Sequence, residues 1–355
     1  MKSLYIHIPF CNQICFYCDF PKRIADEPLK TKYIDYLIKE LKQYNLDELV
    51  TIYVGGGTPS SLSLLLIEKL LNSLPKVQEF TFECNPNDIT NDLLDLIKDK
   101  VTRISLGVQT FDDDLLKSIG RKHNSKDSAT AIKLINLHKF NLSIDLMFNL
   151  PGQTLKQVEF DLNNTNDIGH ISYYSLILEE KTIFHKMLRN NEITLNEDNE
   201  FYEYIIKSLT NKGFEQYEIS NFARTHKSIH NLTYWNNEKY IGCGLAASGY
   251  GDKRYKNYTL FKDYFSSLDK GELPVMESDE VSKVDEMFNH MMLGFRLLDG
   301  IDTSHFFNRY NIDVFDQYPE LNNLVCEKYL KLENGKIKLT RKGLLFNNDL
   351  LVRLL

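Results

Sequence analysis

Short runs of β-branched and aromatic residues alternate with longer amphipathic stretches through the first half of the chain, and few folds can be built from that pattern. The strand-like runs are Leu4 to Ile8, Thr51 to Val54, Glu79 to Glu83, Arg103 to Val108, Leu142 to Phe148 and Ile171 to Ile177. Between the first two, Leu29 to Tyr44 carries Tyr33, Leu37, Leu41 and Tyr44 three or four residues apart, the spacing of one helix face. Further helices are predicted to begin near Ser61, Thr90, Asp127 and Thr154, the last with Gln157 placed for a capping box. Repeated strand–helix units imply parallel strands joined by right-handed crossovers. Six units predict an α/β fold, a partial six-stranded parallel (β/α)6 barrel. In such a barrel the C-terminal ends of the strands share one rim, where function collects.

The first predicted strand runs directly into three cysteines, Cys11, Cys15 and Cys18, in the run Cys-Asn-Gln-Ile-Cys-Phe-Tyr-Cys. Thiolates bind soft metals, and three on one short loop can hold three irons of a four-iron cluster and leave the fourth open for chemistry. A structural zinc site is the alternative. It normally takes four ligands, usually as two separated pairs, and no second cysteine pair follows. Phe16, Tyr17 and Phe20 can wall the metal from water. Cys84, Cys243 and Cys326 are scattered, so the six cysteines do not read as a secreted disulfide framework. Thiolates of this kind point to a reducing compartment, the cytoplasm.

Other rim positions carry polar groups. The second strand ends in Gly55, Gly56, Gly57, Thr58 and Pro59, where bare backbone can approach a ligand or simply turn into a helix. Glu83 closes the third strand, Gln109 follows the fourth, Asp145 lies within the fifth, and Arg121 stands in Ile-Gly-Arg-Lys-His. An acid among apolar neighbours needs a polar partner if it faces inward, and an arginine can grip a carboxylate. Each also has a plain structural reading, as a solvated strand end, a turn residue, a buried hydrogen bond or a surface cation. Their shared rim favours a common ligand.

The cysteine spacing resembles the signature of the radical S-adenosylmethionine (SAM) superfamily. The run Tyr5-Ile6-His7-Ile8-Pro9-Phe10-Cys11, the Gly-Gly-Gly-Thr-Pro turn, Gly-Val-Gln-Thr-Phe and Asp145-Leu-Met-Phe-Asn-Leu-Pro-Gly-Gln-Thr154 are together similar to the oxygen-independent coproporphyrinogen III oxidase group, over nearly the whole chain. The resemblance implies a 4Fe-4S cluster on Cys11, Cys15 and Cys18. It also implies SAM surrounded by Tyr5, Tyr17, Gly56, Gly57, Thr58, Glu83, Gln109, Arg121 and Asp145. Two departures separate this chain from the oxidases, which carry a fourth cysteine two residues after the third and an extension ahead of the cluster. Here Phe20 takes that position and ten residues precede Cys11. Both features resemble the HemW-type haem chaperones, as does His230-Asn231-Leu232-Thr233-Tyr234-Trp235, which matches the His-Asn-x-x-Tyr-Trp motif of haem-handling members.

Imidazole is a common axial ligand for haem iron, and Tyr234 and Trp235 supply flat apolar surface for a porphyrin. A histidine in a loop is otherwise hydrogen-bonded or exposed. The glycine-rich run Gly242 to Gly251 is either a tight backbone crossing or part of a cofactor wall, with Cys243 a small packed residue. From about Asp279 helices take over, with a hairpin predicted at Tyr329 to Leu339 turned by Asn334-Gly335. The resulting division is a radical SAM core at 1–220, a connecting segment at 221–278, and a small helical, winged-helix-like domain at 279–355. A net charge of −7 argues against a general nucleic-acid binder, and no apolar stretch is long enough to span a membrane. The expected function is that of a haem chaperone that binds haem and transfers it to an acceptor protein, with an electron donor serving the cluster. The alternative is a coproporphyrinogen III oxidase that decarboxylates propionate side chains.

Overall fold

The computed structural model describes residues 1–194 and 199–355. All six predicted strands are present: β1 (Ser3–Ile8), β2 (Thr51–Gly56), β3 (Glu79–Cys84), β4 (Arg103–Gln109), β5 (Asn141–Phe148) and β6 (His170–Ser175). They pair in sequence order, each parallel to the next. The crossovers carry α1 (Glu27–Leu41), α2 (Leu64–Asn72), α3 (Asn91–Ile97), α4 (Asp113–Ser118), α5 (Ser125–Leu137) and α6 (Leu155–Asn163). Asp26 starts α1 by accepting the Leu29 amide at 3.2 Å, ahead of Pro28 in the first turn. At α6 the Gln157 side chain accepts the Thr154 amide at 2.9 Å, the reciprocal half of the expected capping box. Several boundaries differ from expectation: the first helix runs Glu27–Leu41 rather than from Leu29 to Tyr44, and the second begins at Leu64 rather than near Ser61. The glycine run begins inside β2, and β6 stops two residues short of Ile177.

Each parallel strand alternates between an apolar face covered by helices and a polar face turned to the barrel interior. Leu4, Ile6, Ile52, Val54, Phe80, Phe82, Ile104 and Ile144 join the main core. Their neighbours Ser3, Tyr5, Thr51, Tyr53, Thr81, Glu83, Arg103, Ser105, Ser143 and Asp145 bond to one another or to groups inside the barrel. The barrel is thus lined with hydrogen-bonding groups rather than filled with aliphatic side chains.

After α7 (Ile183–Arg189) and α8 (Asn199–Asn211), β7 (Glu215–Gln216) and β8 (Asn221–Ala223) extend the sheet antiparallel beyond β6. Of residues 221–278, read from sequence as a connecting segment, β8 and β9 (Ile241–Cys243) join the barrel sheet. Following β8, α9 (Ile229–Trp235) lies across the barrel floor, and β9 pairs parallel with β1 at the other edge. Strands β10 (Ser248–Tyr250), β11 (Lys253–Asn257) and β12 (Val275–Glu280) form a separate antiparallel sheet, with α10 (Phe261–Asp269) packed on α1. Gly244, at a φ of +102°, needs its missing Cβ: one would sit 2.6 Å from both the His7 carbonyl and the Tyr33 hydroxyl. Of the two readings of the run Gly242 to Gly251, the tight crossing is found at Gly244, while Ala246, Ala247 and Ser248 line a cavity; Cys243 is fully buried in the core.

The C-terminal unit contains α11 (Lys283–Gly294), β13 (Ile301–Asp302), α12 (Thr303–Tyr310), α13 (Val314–Gln317), α14 (Glu320–Cys326), β14 (Leu330–Glu333), β15 (Lys336–Leu339), α15 (Arg341–Leu345) and α16 (Asn347–Val352). It has its own core around Met291, Phe295, Phe306, Leu321 and Ile337. Its wing is the predicted hairpin, with Asn334 and Gly335 at φ of +53° and +74°, as a two-residue hairpin turn requires. Among the described residues no helix is long and apolar enough to cross a membrane.

Candidate functional site

The cysteine loop lies where β1 ends, on the rim formed by the C-terminal strand ends. Cys11 and Cys15 are buried and Cys18 is half-buried. The Cys11 sulfur is 3.6 Å from the Thr58 hydroxyl, and Cys15 receives the Arg121 guanidinium at 3.6 Å. Burial pushes the Cys11 thiol up to about 11 and raises Cys18 as well, so both need a metal or a cation to ionise. Among the described residues no three His, Cys, Asp or Glu side chains converge as a single-ion site requires. A four-iron cluster asks for something else, one thiolate to each of three irons. The loop fits such a group in other ways. A Cβ on Gly57 would stand 2.6 Å from the Phe10 carbonyl and 3.0 Å from the Cys11 sulfur, so bare backbone faces the thiols. The buried Nε of Arg121 and Oε1 of Gln13, both beside Cys15, have no protein partner.

The residues expected around SAM collect on this rim and the interior wall below it. Glu83 accepts the Tyr53 hydroxyl at 2.7 Å and the Gly56 amide at 3.1 Å, and burial lifts its carboxyl to about 7. Asp145 accepts the Ser105 hydroxyl at 3.2 Å and is raised by burial, with Arg103 pulling the other way. Gln109 adopts a φ of +69° at the end of β4 and takes the Tyr174 hydroxyl at 3.0 Å; a non-glycine residue held in that region marks a place where geometry outweighs backbone ease. Arg121 donates to Asn85 at 2.9 Å and to the Gly107 carbonyl, and so bridges the cysteine loop and the β3 and β4 ends. Tyr17 lies in the cysteine loop, half-buried against the small core of Leu115, Leu116 and Met147.

A cavity of about 400 Å³ opens beside this rim, a volume in the usual range for small-molecule sites. Tyr5, His7, Tyr53, Gly56 and Glu83 form one wall, Asn231, Tyr234 and Tyr240 another, and Phe20 and Pro21 its lip. The region predicted to hold SAM and the region predicted to hold haem therefore meet in one space. His7, Tyr53 and Tyr240 were not singled out from sequence. His7 donates from Nε2 to the Pro21 carbonyl at 2.8 Å and accepts the Tyr5 hydroxyl at 2.9 Å on Nδ1. The available signal was period-two alternation, which puts Tyr5 and His7 on the same side of β1.

His230 departs from expectation. It does not stand on an open loop but in α9, fully buried, with Nδ1 2.8 Å from the Thr51 hydroxyl and Nε2 2.8 Å from the Tyr234 hydroxyl. The Glu79 carboxylate accepts the Ile229 and His230 amides at 2.9 and 2.8 Å, fixing the helix N-terminus beneath β3. Burial, reinforced by Arg103, pushes the imidazole down to about 3. A bond from His230 to haem iron would require unburying the ring and breaking one of its hydrogen bonds. Trp235 lies under the Arg296 guanidinium, 4.4 Å from ring centre to carbon, and borders a second cavity of about 180 Å³ together with Tyr234, Tyr240, Tyr250 and Arg254.

Comparisons with known proteins agree with this architecture. Residues 5–163 match the family model of the radical SAM superfamily, and residues 281–346 match that of the HemN C-terminal domain. The chain is 38% identical to the "Heme chaperone HemW" of Bacillus subtilis over 98% of both chains. It is 37% identical to the protein of that name from Lactococcus lactis, over 100% of this chain and 97% of the other, and 32% identical to that of Escherichia coli, over 98% and 97%. Among solved structures, the coproporphyrinogen III oxidase HemN of Escherichia coli, a radical SAM enzyme, superposes with a TM-score of 0.84 at 20% identity, over 99% of this chain and 89% of that one. That likeness concerns the fold.

Proposed function

The chain belongs to the HemW family of the radical SAM superfamily, and from that membership we propose that it is a haem chaperone, which binds haem and passes it to an acceptor protein. The observation that carries the reading is end-to-end similarity, at up to 38% identity, to proteins named for that activity. Cys11, Cys15 and Cys18 would hold the cluster. Tyr5, Tyr17, Gly56, Gly57, Thr58, Glu83, Gln109, Arg121 and Asp145 would surround SAM. Bound there, the cluster and SAM would supply one-electron chemistry, the electron coming from a separate donor.

The chain's own residues define what the site can do. Arg121 supplies a fixed cation beside the Cys15 thiol, and Glu83 ties the Gly56 backbone to the interior wall. Phe20, more than half exposed, presents an apolar ring at the cavity lip where the resembled oxidases carry a further thiol. Free thiols that must stay reduced suit the cytoplasm. The test is anaerobic reconstitution followed by iron, sulfide and ferric haem titration. One 4Fe-4S cluster per chain, its loss in Cys11→Ala, haem binding, and no turnover of coproporphyrinogen III with reductant and SAM are expected. Stoichiometric zinc without sulfide would refute the cluster, and porphyrinogen decarboxylation would replace the chaperone reading with the oxidase one.

A further inference from the structure

In the His230–Trp235 motif Asn231 and Tyr234 reach the larger cavity and Tyr234 and Trp235 the smaller one. Tyr234 borders both cavities, whereas His230 borders neither and is sealed beneath the barrel interior. The hydrogen bonds below Tyr234 have a single consistent direction. Thr233 donates its hydroxyl to the Ile229 carbonyl at 3.4 Å, Ser3 lies 3.0 Å from Thr233, and Thr51 donates to Ser3 at 2.9 Å. With each hydroxyl proton spent down this line, Thr51 accepts from His230 Nδ1 at 2.8 Å, and Nε2 is left to accept from the Tyr234 hydroxyl at 2.8 Å. A string of five donors, Tyr234, His230, Thr51, Ser3 and Thr233, running to a backbone carbonyl polarises each member and increases the electron density on the phenol oxygen at its head.

We propose that Tyr234, not His230, is the protein ligand to haem iron, with His230 a positioning residue that holds the phenol through Nε2. The proposal rests on the haem-chaperone reading. Phenol oxygen is an established type of axial haem ligand, and a hydrogen bond from that phenol to a buried acceptor strengthens its donation. On binding, a bond forms from Tyr234 Oη to ferric iron and the bond to the water or anion carried by free ferric haem breaks, releasing that ligand to solvent. The hydroxyl proton stays in the hydrogen bond to Nε2, and no electron is transferred. Tyr5, Tyr53 and Tyr240 line the same cavity and give it aromatic surface suited to a porphyrin face. Across the Tyr234–Tyr240 pair, whose rings meet edge-on at 4.6 Å, Arg254 offers a cation for a haem carboxylate.

Ferric haem titrated into the cluster-loaded protein decides the matter. Resonance Raman and electron paramagnetic resonance of the complex are expected to show oxygen-ligated, high-spin iron with tyrosine ring modes. Tyr234→Phe, which keeps the ring and its packing, is expected to lose those modes and to bind haem at least about tenfold more weakly. His230→Gln is expected to keep oxygen ligation with the tyrosine modes shifted, since its side chain still offers a hydrogen-bond partner. Unchanged melting temperature and iron content in both variants show that the fold is intact. A low-spin, imidazole-ligated spectrum in the parent, or a parent-like spectrum in Tyr234→Phe, overturns the assignment while leaving the chaperone reading in place. A parent that binds no haem overturns both.

Discussion

At the scale of single residues, the site separates groups that touch the thiols from groups that stand on the interior wall below them. Arg121 is of the first kind: its guanidinium contacts the Cys15 sulfur and ties Asn85 and Gly107 to the cysteine loop. Asp145 is on the interior wall and bonds to Ser105 without contacting a cysteine. Calorimetry on reconstituted protein should therefore find SAM binding weakened roughly tenfold in Asp145→Asn at full iron content, and weakened in Arg121→Ala together with partial cluster loss, because a charge-assisted contact to the thiol goes with it. Full iron content in Arg121→Ala would show that its contact with Cys15 does not support the cluster. The thiol triad was legible in sequence because its spacing is local, and the rim acids were legible once strand ends were assigned. His230 was not. Its burial depends on Glu79 and Thr51, some 150 and 180 positions away, and nothing in the motif itself says that the barrel floor will close over it.

At the scale of elements, the six strands were legible because each is a short β-rich run between turn signals, while the edge strands β7, β8 and β9 are two or three residues long and carry no periodicity of their own. The alternation within strands held more information than strand existence. Parallel strands buried on both faces usually read as continuous apolar runs, so Ser-Leu-Tyr-Ile-His-Ile and Glu-Phe-Thr-Phe-Glu-Cys announce a barrel with a polar interior. Where elements join, a single buried acid does the holding. Glu40 on α1 is fully buried and accepts the Gly244 amide at 2.8 Å, Asn257 at 2.8 Å and the Tyr264 hydroxyl at 2.5 Å, fastening the segment after β9, together with β11 and α10, to α1. Burial lifts its carboxyl to about 7 from an ordinary 4.5, its hydrogen bonds opposing the rise. The native state then holds a proton that the unfolded state releases between those values. Its contribution to stability is fully present below about pH 4.5 and is lost as pH rises through about 7, on the order of 3 kcal/mol. Denaturant titrations from pH 4.5 to 8 should show a smaller decline in Glu40→Gln than in the parent. Parallel curves would mean that Glu40 titrates normally.

At the scale of the whole molecule, the C-terminal unit has its own core, yet it is fastened to the part of the barrel that carries Tyr234. The Ile219 amide donates to the Arg296 carbonyl and the Leu298 amide to the Tyr217 carbonyl, each at 3.1 Å, so the residues after α11 line up beside the turn between β7 and β8. The Arg296 guanidinium lies over Trp235 and stands 3.5 Å from Glu218, whose side chain is wholly buried. Glu218 gains from this cation because burial otherwise raises its carboxyl, and its Oε2 has no hydrogen bond of its own. Trp235 is next to Tyr234 on α9, so docking of the C-terminal unit helps fix the orientation of the proposed iron ligand. Removing the arginine strands an acid in the interior, which in buried pairs costs several kcal/mol; because Arg296 is about one-third exposed, Arg296→Ala should cost less, about 2–3 kcal/mol. Neutralising the acid relieves most of that penalty, so Glu218→Gln with Arg296→Ala should lose markedly less than the sum of the single variants in denaturant unfolding. If the two losses add, the pair is not what joins the units, and Arg296 acts through its stacking on Trp235 alone.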